Sequence, residues 1–181
     1  AYENLILSVA EVGGTPIRGH TESVSGLTIS QDGRRLITTS ADRTMRIWDR
    51  SDESAKLADT FHHPDRVNAL ATSPGTKRIA TGCFDRLIRL WDSETHSAVT
   101  LEGRGMPTSS LAMSPDGRWL VSGDERGGVF AWDLTQDDSD IAGSRLALNS
   151  FQMPRVAHLS FSTDSRWLIS AHATNNQQAM G

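Results

Sequence analysis

"TTSADRTMRIWD", residues 38–49, is the stretch on which the fold turns, because the chain repeats it. "TGCFDRLIRLWD" stands at 81–92, and a looser form, "SGDERGGVFAWD", stands at 122–133. Each copy closes on Trp-Asp. Trp48 to Trp91 is 43 residues and Trp91 to Trp132 is 41. Self-similarity at a fixed spacing of this size marks a repeat architecture, in which each unit is one supersecondary element that buries its apolar face against the next.

Working outward from the copies, the units become fuller. His20 precedes Trp48 by 28 residues, and His63 precedes Trp91 by 28. The same count back from Trp132 reaches Arg104. A fourth unit shows in "SFSTDSRWLIS" (160–170), which echoes "AMSPDGRWLVS" (112–122) at an offset of 48; its Trp position would be Met180, 28 after Gln152. The extra residues fall in the polar run "TQDDSDIAGSRLALNS" (135–150), read as a widened loop.

Within each unit the pattern is β. Short alternating runs, "SVSGLTIS" (23–30) and "RRLITTS" (34–40), are separated by turns rich in Gly, Pro and Asp, such as "SPDG" (114–117). Such spacing predicts an all-β antiparallel meander, and no sustained helical periodicity interrupts it. Strands are expected near 23–30, 34–40, 44–49 and 56–61; near 66–73, 77–82, 87–92 and 97–102; near 107–114, 118–123, 128–133 and 145–151; and near 156–162 and 166–171.

Composition narrows the function classes. In 181 residues, 37% hydrophobic and 22% charged, there is enough apolar material for a core. Eighteen basic against 22 acidic side chains give a net charge of −4, so no overall basic excess draws the chain to nucleic acid or anionic lipid. One cysteine, Cys83, rules out an intramolecular disulfide framework and fits a reducing, cytoplasmic setting. No apolar run approaches the roughly 18 residues that span a bilayer. The first residue is Ala, which reads as a processed product or a segment of something longer.

A unit of this length with Gly-His near its start and Trp-Asp at its end resembles the WD40 repeats of β-propellers. Gly19-His20 with Trp48-Asp49 matches fully; His63 with Trp91-Asp92 lacks the Gly; unit three keeps Trp132-Asp133 but has Arg104 in the His slot. The resemblance covers essentially the whole chain and implies one propeller segment over 1–181. Its units would be 19–61, 62–102, 103–151 and 152–181, with 1–18 the remnant of a preceding blade. It also implies a hydrogen-bond chain inside each blade. In unit one that chain would join Trp48, Ser40, His20 and Asp42; in unit two it would use Trp91, His63 and Asp85, weakened by Cys83 in the hydroxyl slot. Unit three has Arg126 in the Asp slot and Asp124 in the Ser slot, so an ion pair of Asp124 with Arg104 or Arg126 is expected as a substitute.

Chemistry fares poorly against that architectural reading. A Ser–His–Asp set recurring in successive units, with Trp attached and no nucleophile elbow, does not describe a hydrolase. His62-His63 has no Cys/His cluster around it with ligand spacing, so no metal or cofactor is expected. "RGG" (126–128) opens no helix and is a turn, not a phosphate loop. The resemblance directs attention instead to the rim formed by the loops entering each first strand and joining the second and third. Glu22, Ala41, Arg43, Asp65, Arg66, Phe84, Arg86, Arg104, Glu125 and Arg126 map there. An aromatic anchor among arginines suits an acidic or carboxylate-bearing peptide.

The expected function is therefore a non-catalytic protein–protein interaction scaffold, docking a protein or peptide through Phe84, Arg86, Arg43, Arg66, Arg104 and Arg126. The alternative is a regulatory or sensor segment of a larger kinase, protease or NTPase. Units this few leave end blades to be covered, and self-association through them is expected. The chain is cut from a longer propeller, pairs into an eight-bladed ring, or closes as four blades; the first is the expected case. "LILSV" (5–9) falls where the third strand of a preceding blade would end, with the fourth near 14–18.

Overall fold

A computed structural model describes residues 17–30, 32–50, 55–73, 77–149 and 153–173. The expected strand at 5–9, and residues 14–16 of the one expected near 14–18, lie outside the described residues.

Among the described residues the chain builds three four-stranded antiparallel sheets and one two-stranded sheet, each taken up in sequence order. Blade one is β1 (Val24–Ile29), β2 (Arg35–Ser40), β3 (Thr44–Asp49) and β4 (Lys56–His62). Blade two is β5 (Val67–Thr72), β6 (Arg78–Cys83), β7 (Leu87–Asp92) and β8 (Ala98–Glu102). Blade three is β9 (Thr108–Met113), β10 (Trp119–Asp124), β11 (Val129–Asp133) and β12 (Leu146–Ala147). Blade four is represented by β13 (Val156–Phe161) and β14 (Leu168–His172). These are the strands expected from the repeat, within about two residues at their ends apart from β12.

The first turns of blades one, three and four repeat one chemistry. In "SQDGR", Ser30 donates to Asp32 at 2.6 Å, while Asp32 accepts the Arg34 amide and Ser30 accepts that of Arg35. Ser114 with Asp116 and Ser162 with Asp164 repeat it. A short polar side chain folded back on its own backbone fixes these turns, and so the register of the strands that follow.

The core lies between the sheets. Leu111, Leu120 and Trp132 pack against Ala69, Ile88 and Leu101 between blades two and three. Val121 and Ala131 meet Val156 and Leu159 between blades three and four. Ile37 and Ile47 meet Ile79 and Leu70 between blades one and two. The approach is close enough to need glycine at Gly123, where a Cβ would stand 2.4 Å from Val156 Cγ1.

The fourth strand of blade three departs from expectation. It was expected over 145–151 and is two residues long, Leu146–Ala147. The preceding loop holds one helical turn, α1 (Asp138–Ile141), continued as a 3-10 turn over Ala142–Ser144 and anchored by the buried Ile141. Asn149 then continues the ladder with its side chain, accepting from the Val129 amide at 3.0 Å and donating to the Gly127 carbonyl at 2.9 Å. A side-chain amide that mimics the backbone satisfies β11 without further strand.

The outer faces differ from the inner ones. Leu70, Leu111 and Leu159 each face a neighbouring blade, whereas Leu27 in the same slot is 48% exposed. At the other end, Ile169 occupies the slot of the buried Ile37 and Val121 and is 66% exposed; Trp167 beside it is 68% exposed.

Candidate functional site: the loop face

The Trp-Asp motif proves architectural, by a different route from the one expected. Trp48 pairs with Leu36 across β2 and β3, and its indole N–H donates to Thr38 Oγ1 at 2.9 Å. Thr38 Oγ1 also lies 2.7 Å from His20 Nε2, and His20 Nδ1 lies 2.8 Å from Asp42 Oδ2. Because the indole can only donate, the threonine proton is free for Nε2, and Nδ1–H is left to donate to Asp42. Every link then has one donor with His20 neutral. Burial lowers the His20 pKa, opposing the pull of Asp42, and holds it in that form. Burial alone would raise the Asp42 pKa, but hydrogen bonds from Thr44 and His20 outweigh it and keep the carboxylate ionised. The hydroxyl of the chain is thus Thr38 and not Ser40. Ser40 Oγ donates to the Glu22 carbonyl and accepts the Asp42 amide, capping the turn instead.

The same correction applies in blade two. Thr81, not the Cys83 position, supplies the hydroxyl, taking the Trp91 indole N–H at 2.8 Å and lying 2.9 Å from His63 Nε2. The break comes one link later. Asp85 turns to Arg89 at 2.7 Å, and His63 Nδ1 has no side-chain partner. Burial, with the Arg89 charge adding to it, lowers the His63 pKa to about 4. In blade three the chain is gone: Trp132 Nε1 is buried without a partner. The expected Asp124 ion pair with Arg104 or Arg126 is not formed. Asp124 Oδ1 instead accepts the amides of Arg126 and Gly128, both at 2.8 Å, because the carboxylate curls into its own turn.

The loops between second and third strands lie against the loops entering each blade. The amides of Ala41, Phe84 and Glu125 donate to the carbonyls of Ser23, Arg66 and Pro107. This brings Arg66 to Phe84, the guanidinium carbon standing 4.1 Å from the ring centroid. Phe84 remains 36% exposed. Arg43 and Arg86 occupy the third position of their turns with φ of 68° and 75°, and Gly127 takes the same position in blade three at 79°. Left-handed backbone costs a side-chain-bearing residue about 1–2 kcal/mol, which glycine avoids. Arg43, Arg66, Arg86, Arg104 and Arg126 are all exposed, and among the described residues none enters an ion pair.

The face is not one surface. Arg43, Arg66, Phe84 and Arg86 sit on blades one and two. Arg104 and Arg126 line a separate cleft of about 770 Å³ between the loops of blades three and four, with Met106, Asp124, Glu125, Met153, Pro154 and Arg155. On the opposite face a cleft between blades one and two is lined in part by Lys77 and Arg78, but these pair with Glu94 and Asp138. Among the described residues no group of three or more His, Cys, Asp or Glu side chains could hold a metal ion, and no helix is long and apolar enough to cross a membrane.

Comparison with known proteins agrees with the geometry. Residues 13–49, 55–92 and 96–133 match the model of the WD domain, G-beta repeat. The chain is also 30% identical over 122 residues to the target of rapamycin complex subunit wat1 of Schizosaccharomyces pombe, covering 63% of this chain and 36% of that protein. It spans about a third of the length of that relative. With three family-matched repeats on three four-stranded sheets, the chain belongs to the WD40 repeat family.

Proposed function

We propose that the chain is a non-catalytic interaction scaffold that docks a protein or peptide, acidic in character, on its loop face. The observation that carries this reading is the pair Arg43 and Arg86. Both hold side chains at left-handed positions that favour glycine, both are exposed, and among the described residues neither enters an ion pair. Strain kept at a surface position is accounted for by a partner more readily than by folding. Phe84, flanked by Arg66, adds an aromatic anchor of the kind that concentrates binding energy. That a relative is named as a complex subunit supports an assembly role of the same kind. The proposal names no nucleic-acid or membrane partner and assumes a cytoplasmic setting, in keeping with the net charge of −4 and the single cysteine. It also includes association of copies through the exposed Leu27 and Ile169 faces.

The test is selection of binding peptides from a random display library, followed by rebinding to variants. Peptides rich in Asp and Glu are expected, with binding lost in Phe84→Ala and Arg86→Ala and kept in Lys77→Ala, all at unchanged melting temperature. Peptides sensitive only to Lys77→Ala would show that the opposite face is the docking side.

A further inference from the structure

Blade three breaks the rule that blades one and two obey, and it does so at two slots together. Where blades one and two hold His20 and His63, blade three holds Arg104; where they hold Asp42 and Asp85, it holds Arg126. In blade one the two slots form a buried hydrogen-bonded pair, His20 with Asp42. In blade three both residues are exposed, and the Trp132 indole is left without its partner. The exchange gives up the buried hydrogen-bonded pair of blade one, and among the described residues no ion pair of Arg104 or Arg126 replaces it, so nothing in folding favours it. A local rule broken without a compensating contact points to function.

Both arginines line the cleft between the loops of blades three and four. The other charged side chains there are partly committed, and Asp124 Oδ2 has no hydrogen-bond partner. Arg155 pairs with Glu125 at 3.1 Å, and Asp124 spends Oδ1 on the Arg126 and Gly128 amides. Its Oδ2 is buried against Gly128, where a Cβ would come within 2.5 Å. Among the cations of the cleft the uncommitted groups are therefore the two exposed guanidiniums, Arg104 and Arg126. Beside them lie Met106, Pro154 and Met153, the last 40% exposed. Methionine is an adaptable surface for an apolar side chain, and guanidinium is the fork that fits a carboxylate. Gly127 lets the turn of blade three approach the Met153 backbone closely, since a Cβ there would clash with the Met153 carbonyl.

We infer that this cleft is a subsite for an acidic peptide segment carrying one apolar side chain, with carboxylates on Arg104 and Arg126 and the apolar group on Met106, Met153 and Pro154. The inference rests on the loop face being the docking side, and adds where on that face and with what sequence character a partner is read.

The experiment uses a fluorescein-labelled peptide in which leucines are spaced among glutamates, followed by fluorescence anisotropy. Two matched peptides replace all glutamates with glutamine or all leucines with serine. The chain carrying Arg104→Ala and Arg126→Ala together should bind the probe at least about tenfold more weakly, since two charge-assisted contacts are lost. The Arg43→Ala, Arg86→Ala pair should weaken the probe by a smaller factor than the Arg104, Arg126 pair does, while both matched peptides bind more weakly than the probe. Loss through the Arg43 and Arg86 pair alone would overturn the cleft assignment and leave the loop-face reading standing. A serine peptide that binds as well as the probe, or a single-stranded oligonucleotide that displaces it at lower concentration, would show simple polyanion binding and overturn the subsite. If neither pair of variants weakens binding, both readings fail. Unchanged melting temperatures for the variants secure each comparison.

Discussion

Trp48 and Thr38 stand ten residues apart in sequence and meet across β2 and β3, the indole N–H donating to the hydroxyl at 2.9 Å. Thr38 is therefore the junction on which His20 also depends. Thr38→Val keeps the shape and strands two buried partners, so it should cost about 1–3 kcal/mol. Ser40→Ala should cost less. His20→Ala and Asp42→Ala should each cost about 1–3 kcal/mol and should not add, because they remove parts of one network. Urea unfolding of the single and double variants checks this, and strictly additive losses would mean that the chain of bonds contributes nothing as a unit.

Blade three provides the internal control. Ser122 occupies the slot of Thr38 and Thr81, yet the Trp132 indole makes no bond there. Ser122→Ala should lie within about 0.5 kcal/mol of wild type in the same assay, well below Thr81→Ala.

His63 gives a pH dependence of defined sign. Its folded pKa is lowered to about 4 from the usual 6.5, so between these values the unfolded chain binds a proton that the folded one refuses. Stability is full above 6.5 and is lost as pH falls toward 4, by at most about 3 kcal/mol. Unfolding midpoints at pH 7 and pH 4.5 measure the loss. A His63→Gln variant should be less stable at pH 7 and flatter across this window; an equal slope in that variant would assign the dependence elsewhere.

Arg43 and Arg86 separate stability from binding. Arg86→Gly relieves left-handed backbone at φ 75° while removing the side chain. Its stability should stay within about 1 kcal/mol of wild type, in the stabilising direction, although glycine's greater freedom in the unfolded chain offsets part of the gain. Affinity for a peptide selected on the loop face should fall in both Arg86→Gly and Arg86→Ala. A large loss of stability in the glycine variant would mean that the guanidinium supports the fold.

The strands were legible because turn chemistry and alternation at a fixed period act locally. The hydroxyl of the blade network was not, and the reason is the pleat. Trp48 lies opposite Leu36, and Thr38 is the next residue along on the same face, within diagonal reach of the indole. Ser40 also lies on that face but is one step further, roughly 13 Å along the strand from Leu36. The signal was present as a hydroxyl ten residues before each Trp: Thr38, Thr81 and Ser122. The helical turn at Asp138–Ile141 is too short to show periodicity. Arginine at left-handed φ runs against propensity, and only the alignment with Gly127 hinted at it. The cleft could not be read at all, since it needs the loops of two blades brought together.

The exposed Leu27 and Ile169 have a further consequence. Inside the chain, Ile37 beside Leu70 and Val121 beside Leu159 are two instances of one contact in which the two sides are different. Leu27 and Ile169 present the two unlike halves of it at opposite ends. Copies of this segment joined through these two faces would therefore meet head to tail. Such joining either bends round to a fixed number of copies or continues as a fibre, and the small angle from one sheet to the next decides between them. Ile169→Lys blocks one half and Leu27→Glu the other. Each variant alone should terminate growth, and a mixture of the two should stop at pairs, visible as a single larger species by light scattering.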